Sequence, residues 1–450
     1  MARQPTAHRV RRRRIAAVAV LSAIVVAVAL VLLSGGGKEA PKQLVPGGGE
    51  AAGTYDPLAY DPDREQELQQ RAAAGFSDVV YEKSPAGVVA SARRVARWRP
   101  LVNRAAKANG VDPATLEAIV FLESAGRPDV VAGGDLQGAV GLTQILASTA
   151  TALLGLHVDL ARSRTLTNRI AATSNAKKLR RLERARRRAD QRFDPALAIA
   201  AAARYLKMAK AKFGRDDLAV ATYHMGMGNL ESILHRYRAQ GGDQHPSYTR
   251  LYFDSTPLRK PRAYALLSSL GDDSSTYLWR VRAAQEIMRL SRDEPKQLAR
   301  LAGLDATGGA GARRLYPNGP PGTTTKTQKP PAWGPALGLR LTQQAKTDYA
   351  PDPGTAAVLA YIGAGTRKIS GQAPLVVTSA HGVRIEMARR YRSGKQALAF
   401  QFMLDRLQAW NLIAWGRGGD TLAIVVGPDA AKRFPAASQL VRDAQRRPSV

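Results

Sequence analysis

Two Asp-Pro pairs punctuate the middle of this 450-residue chain, and each opens a helix whose buried face can be read from spacing. At Asp112-Pro113 an N-cap carboxylate precedes a proline in the first turn, where no helical N–H is needed. Leu116, Ile119, Val120 and Glu123 follow at i, i+3, i+4 and i+7, which predicts one inward stripe ending in a carboxylate. Glu117 points toward solvent on this reading, and Gly126 and Pro128 end the helix. At Asp194-Pro195 another helix starts and runs through Lys212, with Tyr205, Met208 and Ala209 as core candidates. Phe213-Gly214 stops it, and a helix from Asp216 carries Tyr223 to a turn at Gly226 and Gly228. No period-two alternation interrupts residues 92–292, so this region reads as an α-helical domain.

Glu123 sits at the last turn of its helix, beside an irregular loop. A carboxyl at the edge of a core loses solvation, which raises its pKa and keeps it protonated near neutral pH. That is the state a general acid needs. The alternative is a structural Glu, hydrogen-bonded inside the fold.

Around Glu123-Ser124 stand Gly138-Ala139-Val140-Gly141-Leu142-Thr143-Gln144-Ile145 and Ala221-Thr222-Tyr223-His224-Met225-Gly226. In this order the segments resemble the soluble lytic transglycosylase family of peptidoglycan-cleaving enzymes, over roughly residues 92 to 292. That family's pattern is Glu-Ser at a helix end, then Gly-Leu-Met-Gln, then Ala-Tyr-Asn-x-Gly. The resemblance implies a lysozyme-like α-helical fold, with Glu123 as catalytic acid and Ser124 beside it. Gly141, Leu142 and Gln144 match the second motif, Tyr223 and Gly226 the third, and Tyr277 a tyrosine late in the domain. Two positions depart from it: Thr143 stands for Met and His224 for Asn, both expected to line the sugar groove.

Glycosidic cleavage through an oxocarbenium-like transition state ordinarily takes two carboxyl groups. The resemblance implies that one suffices, because the C6 hydroxyl of muramic acid attacks the anomeric carbon. Glu123 would protonate the leaving oxygen and then take the proton from that hydroxyl, leaving a 1,6-anhydro end. Tyr223 would orient the acid, unless it is a core tyrosine; Gln144 would bond a sugar group, unless it is a capping amide. Ser124, Gly141, His224 and Tyr277 complete the expected substrate-binding set. No metal or cofactor is called for. A muramidase, with water as the attacking group and Asp129 or Asp135 as second carboxylate, is the alternative within enzymes. An inactive wall-binding scaffold is the alternative outside them.

The N-terminus predicts where such chemistry takes place. Arg11-Arg12-Arg13-Arg14 closes a basic segment, 1–14, and Ile15 to Leu33 follows without a charge. Nineteen residues at about 1.5 Å each are enough to cross a hydrocarbon core of ~30 Å. Ala27-Val28-Ala29 resembles a cleavage site but lies inside the run, so an uncleaved anchor is expected. The arginines then stay in the cytoplasm, and the rest of the chain lies outside in a single-pass arrangement. The net charge of +31 would ordinarily suggest nucleic acid. This topology points instead to peptidoglycan strands and anionic wall polymers. The absence of cysteine excludes a lipid-anchored cysteine, disulfides and thiolate chemistry.

Residues 34–91 read as a spacer with a short helix near Glu65–Ala73, and 293–334 as a Gly-, Pro- and Thr-rich linker. The basic run 177–188 reads as a solvated helical excursion or as an electrostatic hold on the wall. In 335–435, the apolar runs 375–380 and 421–426 flank a helix from Ser393 to Trp410, predicting a small α/β module. Its first strand is similar to the opening strand of zinc D-Ala-D-Ala carboxypeptidase-like domains. Only His381 and Glu386 remain of the ligands, and one His with one Glu cannot close a site needing three. The module is expected to be non-catalytic and separable, so that deleting 335–450 leaves sugar cleavage intact.

Overall fold

A computed structural model of the chain describes residues 56, 58–271, 273–306, 340–341, 353–371, 375–379, 382–386, 394–410, 412–418 and 421–426. The expected anchor, Ile15–Leu33, and His381 lie outside them. Among the described residues no helix is long and apolar enough to cross a membrane.

The helical part begins with α1 (Glu65–Gly75), α2 (Ser77–Glu82), α3 (Val88–Ala96), α4 (Arg99–Asn109) and α5 (Pro113–Ser124). It continues through α6 (Ala147–Ala152), α7 (Leu160–Ala171), α8 (Ala176–Ala189), α9 (Pro195–Phe213) and α10 (Asp216–Met225). Next come α11 (Met227–Arg238), α12 (Tyr248–Asp254), α13 (Pro261–Ser269), α14 (Tyr277–Asp293) and α15 (Pro295–Ala306). Later in the chain lie α16 (Pro353–Ser370) and α17 (Gly394–Ala409).

Local chemistry sets the ends of the two helices announced by Asp-Pro. Asp112 accepts from the N–H groups of Ala114 and Thr115 at 3.1 and 2.9 Å, and Asp194 does the same for Ala196 and Leu197. The central helix is α14, which packs against α1, α2, α3, α5, α10 and α15. Contacts on so many sides explain why its buried residues are not confined to one stripe: Tyr277, Leu278, Trp279, Val281, Ala284, Ile287 and Met288 are all covered.

Three sequence expectations are corrected here. Glu117 is 0% exposed, not solvent-facing, because its Oε2 accepts from Arg99 at 2.5 Å and from Arg292 of α14 at 2.8 Å. Met208 is exposed, whereas Tyr205, Leu206 and Ala209 of the same helix are buried. The stretch read as spacer is folded from residue 58 onward: Leu58, Leu68, Ala72, Val80 and Tyr81 join the main core, and α1 lies on α14. The basic run is helical and mostly exposed, as read from the sequence, and forms the second arm of a hairpin, α7–α8, with its own apolar contacts among Leu166, Leu182 and Ala189. Its Arg186 is 3% exposed, pairs with Asp129 and covers the Phe193 ring at 4.0 Å.

A mixed five-stranded sheet has the order β1-β2-β3-β5-β4, from β1 (Arg340–Leu341), β2 (Leu375–Ser379), β3 (Gly382–Glu386), β4 (Ile413–Gly418) and β5 (Thr421–Val426). β1 runs parallel to β2 and the other pairings are antiparallel, with Val376 opposite Ile385 and Ile385 opposite Leu422. Both α16 and α17 contribute to the core of the helical domain, through Leu359, Tyr361, Ile362, Phe402, Met403 and Leu407. Arg406 of α17, 3% exposed, donates to the Ser255 carbonyl at 2.7 Å and lies 4.8 Å over the Tyr252 ring.

Candidate active site

Glu123 occupies the last turn of α5, where the chain leaves the helix through Ala125 at φ 50°. Its carboxyl is half-buried and faces a pocket of about 200 Å³ with Ser124, His224, Asp273, Tyr277, Arg280 and Lys83 in its walls. Tyr277, at the start of α14, donates its hydroxyl to Glu123 Oε1 at 2.6 Å. Burial raises the Glu123 carboxyl to about 7, against the lowering effect of the Tyr277 hydrogen bond. A carboxyl poised there can both give and take a proton near neutrality.

The other expected site residues fall into two groups. Ser124, His224 and Tyr277 share the pocket with Glu123, whereas Gly141, Gln144 and Tyr223 are not in its walls. Ser124 is 2% exposed and donates back to the Val120 carbonyl at 3.1 Å, so its hydroxyl serves the helix end. His224 is exposed, its Nδ1 2.8 Å from Ser274 Oγ and its ring 5.3 Å from that of Tyr277. Tyr223 does not bond Glu123: its hydroxyl donates to the Thr143 carbonyl at 2.9 Å. Its ring lies parallel to that of Tyr277, 6.2 Å away, and edge-on to Tyr205. The direct partner of the acid is therefore Tyr277, with Tyr223 behind it. Thr143 is 0% exposed and donates to the Ala198 carbonyl, so it faces α9 and not a sugar groove.

The second motif is a loop built around a residue that sequence reasoning missed. Arg192 is fully buried, paired with Asp190 at 2.8 Å, and donates to the carbonyls of Leu136, Gly138 and Ile145. Gly141, at φ 78°, is where this loop passes closest: an added Cβ would lie 2.1 Å from the Arg192 carbonyl oxygen. Gln144, at φ 48°, donates to the carbonyls of Gly141 and Val130 at 2.8 and 3.3 Å, bracing the loop from within. In the sequence Arg192 follows a run of arginines and carries no mark to set it apart.

Asp273 was also missed. It lies in the pocket wall, ion-paired with Arg280 and Lys83. Burial opposes its ionisation, but the hydrogen bond and charge of Arg280, with Lys83 behind, bring it down to about 2. Asp129 and Asp135 are not in this wall: Asp129 pairs with Arg186, and Asp135 caps the Gln137 N–H. No cluster of three or more His, Cys, Asp or Glu suited to a metal occurs among the described residues.

Residues 100–165 and 166–245 match the family described as "Transglycosylase SLT domain". Among curated proteins the chain is similar to the "Endo-type membrane-bound lytic murein transglycosylase A" of Citrobacter koseri, of Enterobacter sp. and of Klebsiella pneumoniae. Each is 39% identical over 70 residues, which is 16% of this chain. The match spans about a third of each relative, 33% of its length.

Proposed function

We infer, from the transglycosylase SLT domain that this chain carries across residues 100–165 and 166–245, that the protein is a peptidoglycan lytic transglycosylase. The observation that carries the reading is Glu123, half-buried in a pocket, raised to about 7 and held by Tyr277. The bond cut is the β-1,4 link from N-acetylmuramic acid to N-acetylglucosamine. Tyr277 occupies Oε1, which leaves Oε2 to deliver a proton to the glycosidic oxygen as the C1–O bond breaks. The C6 hydroxyl of the muramyl residue then bonds to C1, and its proton returns to Glu123. The acid is regenerated, no water is consumed, and the product ends in 1,6-anhydro-muramic acid.

Hydrolysis would need a carboxylate able to activate water. Asp273, the acid that shares the pocket, is a poor base at a pKa of about 2 and is tied to two cations. This favours the lytic route.

The relatives' names describe membrane-bound proteins, in keeping with Ile15–Leu33 as an anchor and a catalytic domain on the extracytoplasmic side. Anionic wall polymers belong to the same proposal, because Lys177, Lys178, Arg180, Arg181, Arg184 and Arg188 are exposed on α8. The reading is tested with Glu123→Gln, which keeps the amide-sized shape and loses the transferable proton. Release of fragments from purified sacculi should fall by roughly 10²–10⁴-fold or more. Activity within a few-fold of wild type would remove Glu123 from the mechanism.

A further inference from the structure

Between Leu160 and Ala189 the hairpin α7–α8 carries eleven lysines and arginines against one acid, Glu183. Of these cations Arg186 is the buried one, and among the described residues it alone is ion-paired. On α8, Lys177, Arg181, Arg184 and Arg188 recur at i, i+4, i+7 and i+11, all exposed, so they form one straight row. Steps along it are about 4.5–6 Å, three or four residues at ~1.5 Å each. Leu182, Arg186 and Ala189 turn the other way, toward Leu166 and the Phe193 ring. Like charges three and four residues apart repel, and the one acid, Glu183, lies off the row. Elsewhere the surface mixes its signs, as where Arg289 pairs with Glu286 and Glu294 at the end of α14. The root of the hairpin is firmly set. Arg186 reaches Asp129, in the loop that follows Glu123, and Ser163 of α7 donates at 3.0 Å to Asp190, the partner of Arg192. Whatever the row holds is therefore fixed relative to the catalytic helix.

We propose that this row is a docking strip for a wall-linked phosphodiester polymer, which holds the enzyme against its substrate. This names the chemistry of the anionic wall polymer and rests on the reading of the protein as an enzyme of peptidoglycan. Unbroken positive charge in steps of a few ångströms asks for a partner with a negative charge at every short repeat. Peptidoglycan itself is a poor match, because its carboxylates sit on separate peptides and are offset there by the ammonium of a diamino acid. A plain phosphodiester chain has one full negative charge per repeat and nothing to offset it, and guanidinium groups donate to phosphate oxygens in pairs. A lipid surface fits less well, since apolar side chains would have to stand among the cations and enter it. Leu179 and Leu182 are instead turned away from the row and at least half-buried. Single-stranded nucleic acid is held by aromatic stacking, and residues 160–189 contain no aromatic ring.

The test is cosedimentation of the full-length protein with sacculi that carry such a polymer, and with the same sacculi stripped of it by hydrofluoric acid. Stripping should weaken binding about tenfold or more at fixed salt. The triple variant Arg181→Gln, Arg184→Gln, Arg188→Gln should lose as much on untreated sacculi and nothing further on stripped ones. Its slope of log K against log salt should be shallower by about 2, for three lost cations. Gln relieves the like-charge pairs, so the unfolding midpoint of this variant should not fall. A control, Arg93→Gln, Arg104→Gln, Lys107→Gln, removes three exposed cations of α3 and α4 and should bind like wild type. Equal loss in both triple variants would mean general charge and overturn the strip. Binding that stripping leaves unchanged overturns the polymer as partner, and capture by phosphatidylglycerol vesicles that depends on α8 would then assign the row to a lipid surface. Cutting of soluble glycan strands is scored separately. Polymer-dependent binding by a protein that cuts nothing supports the strip and overturns the catalytic reading. Cutting by a protein indifferent to stripping does the reverse.

Discussion

The hydrogen bond from Tyr277 to Glu123 favours the ionised carboxylate, burial favours the protonated one, and the balance lies at about 7. Removing the hydroxyl therefore has a definite sign. In Tyr277→Phe the lowering contribution is lost and burial remains, so the Glu123 pKa rises further. An acid that must be protonated for the first step loses activity as pH climbs through its pKa. The alkaline limb of the pH–rate profile should move up by roughly one unit, with a lower kcat on the plateau. A limb that stays put, or moves down, would show that the hydroxyl does not act on the acid. The inward place of Glu123 was legible because it follows from helical spacing within eight residues. The choice between Tyr223 and Tyr277 was not. Tyr277 is 154 residues away in sequence and meets the acid only because α14 packs along α5.

Helix starts were legible element by element, since Asp112 and Asp194 cap backbone N–H groups two and three residues on. The loop carrying Gly141 and Gln144 was legible as a motif but not as a construction, because its donors come from Arg192. Nothing local distinguishes a buried arginine from its exposed neighbours; only the paired Asp190 and the carbonyls above it do. Arg192→Met leaves the Asp190 carboxylate buried without its main partner and three loop carbonyls short of a donor. The cost is roughly 3–5 kcal/mol, measured by thermal or denaturant unfolding. A loss under about 1 kcal/mol would mean that the guanidinium does not organise the loop. The pairing of α7 with α8 escaped prediction for a related reason. The stripe on α8 is too thin to bury alone, and Leu182 is covered only with Leu166 of the other arm.

Across the whole molecule, strands 375–379 and 421–426 and the helix at 394–409 stand where their apolar runs lie in the sequence. What could not be read was their attachment, which depends on contacts spanning most of the chain. Phe402 meets Tyr252 edge-on at 5.6 Å, and Tyr264 donates to the Ala399 carbonyl. The described helices of the C-terminal segment are thus part of the core that supports Tyr277, and deleting 335–450 strips that core instead of freeing a module. Phe402→Ala should cost roughly 3–5 kcal/mol in a single unfolding transition that also takes down the catalytic domain. Two separate transitions, with only one shifted, would speak for an independent module. We propose that one carboxyl cuts the glycan with no water consumed. This is met most directly by a mass spectrum of the fragments that the full-length protein releases from sacculi. The expected fragments end in 1,6-anhydro-muramic acid, each lighter by one water than its hydrolysis counterpart and absent with Glu123→Gln. Fragments ending in reducing muramic acid would contradict it and turn attention to Asp273.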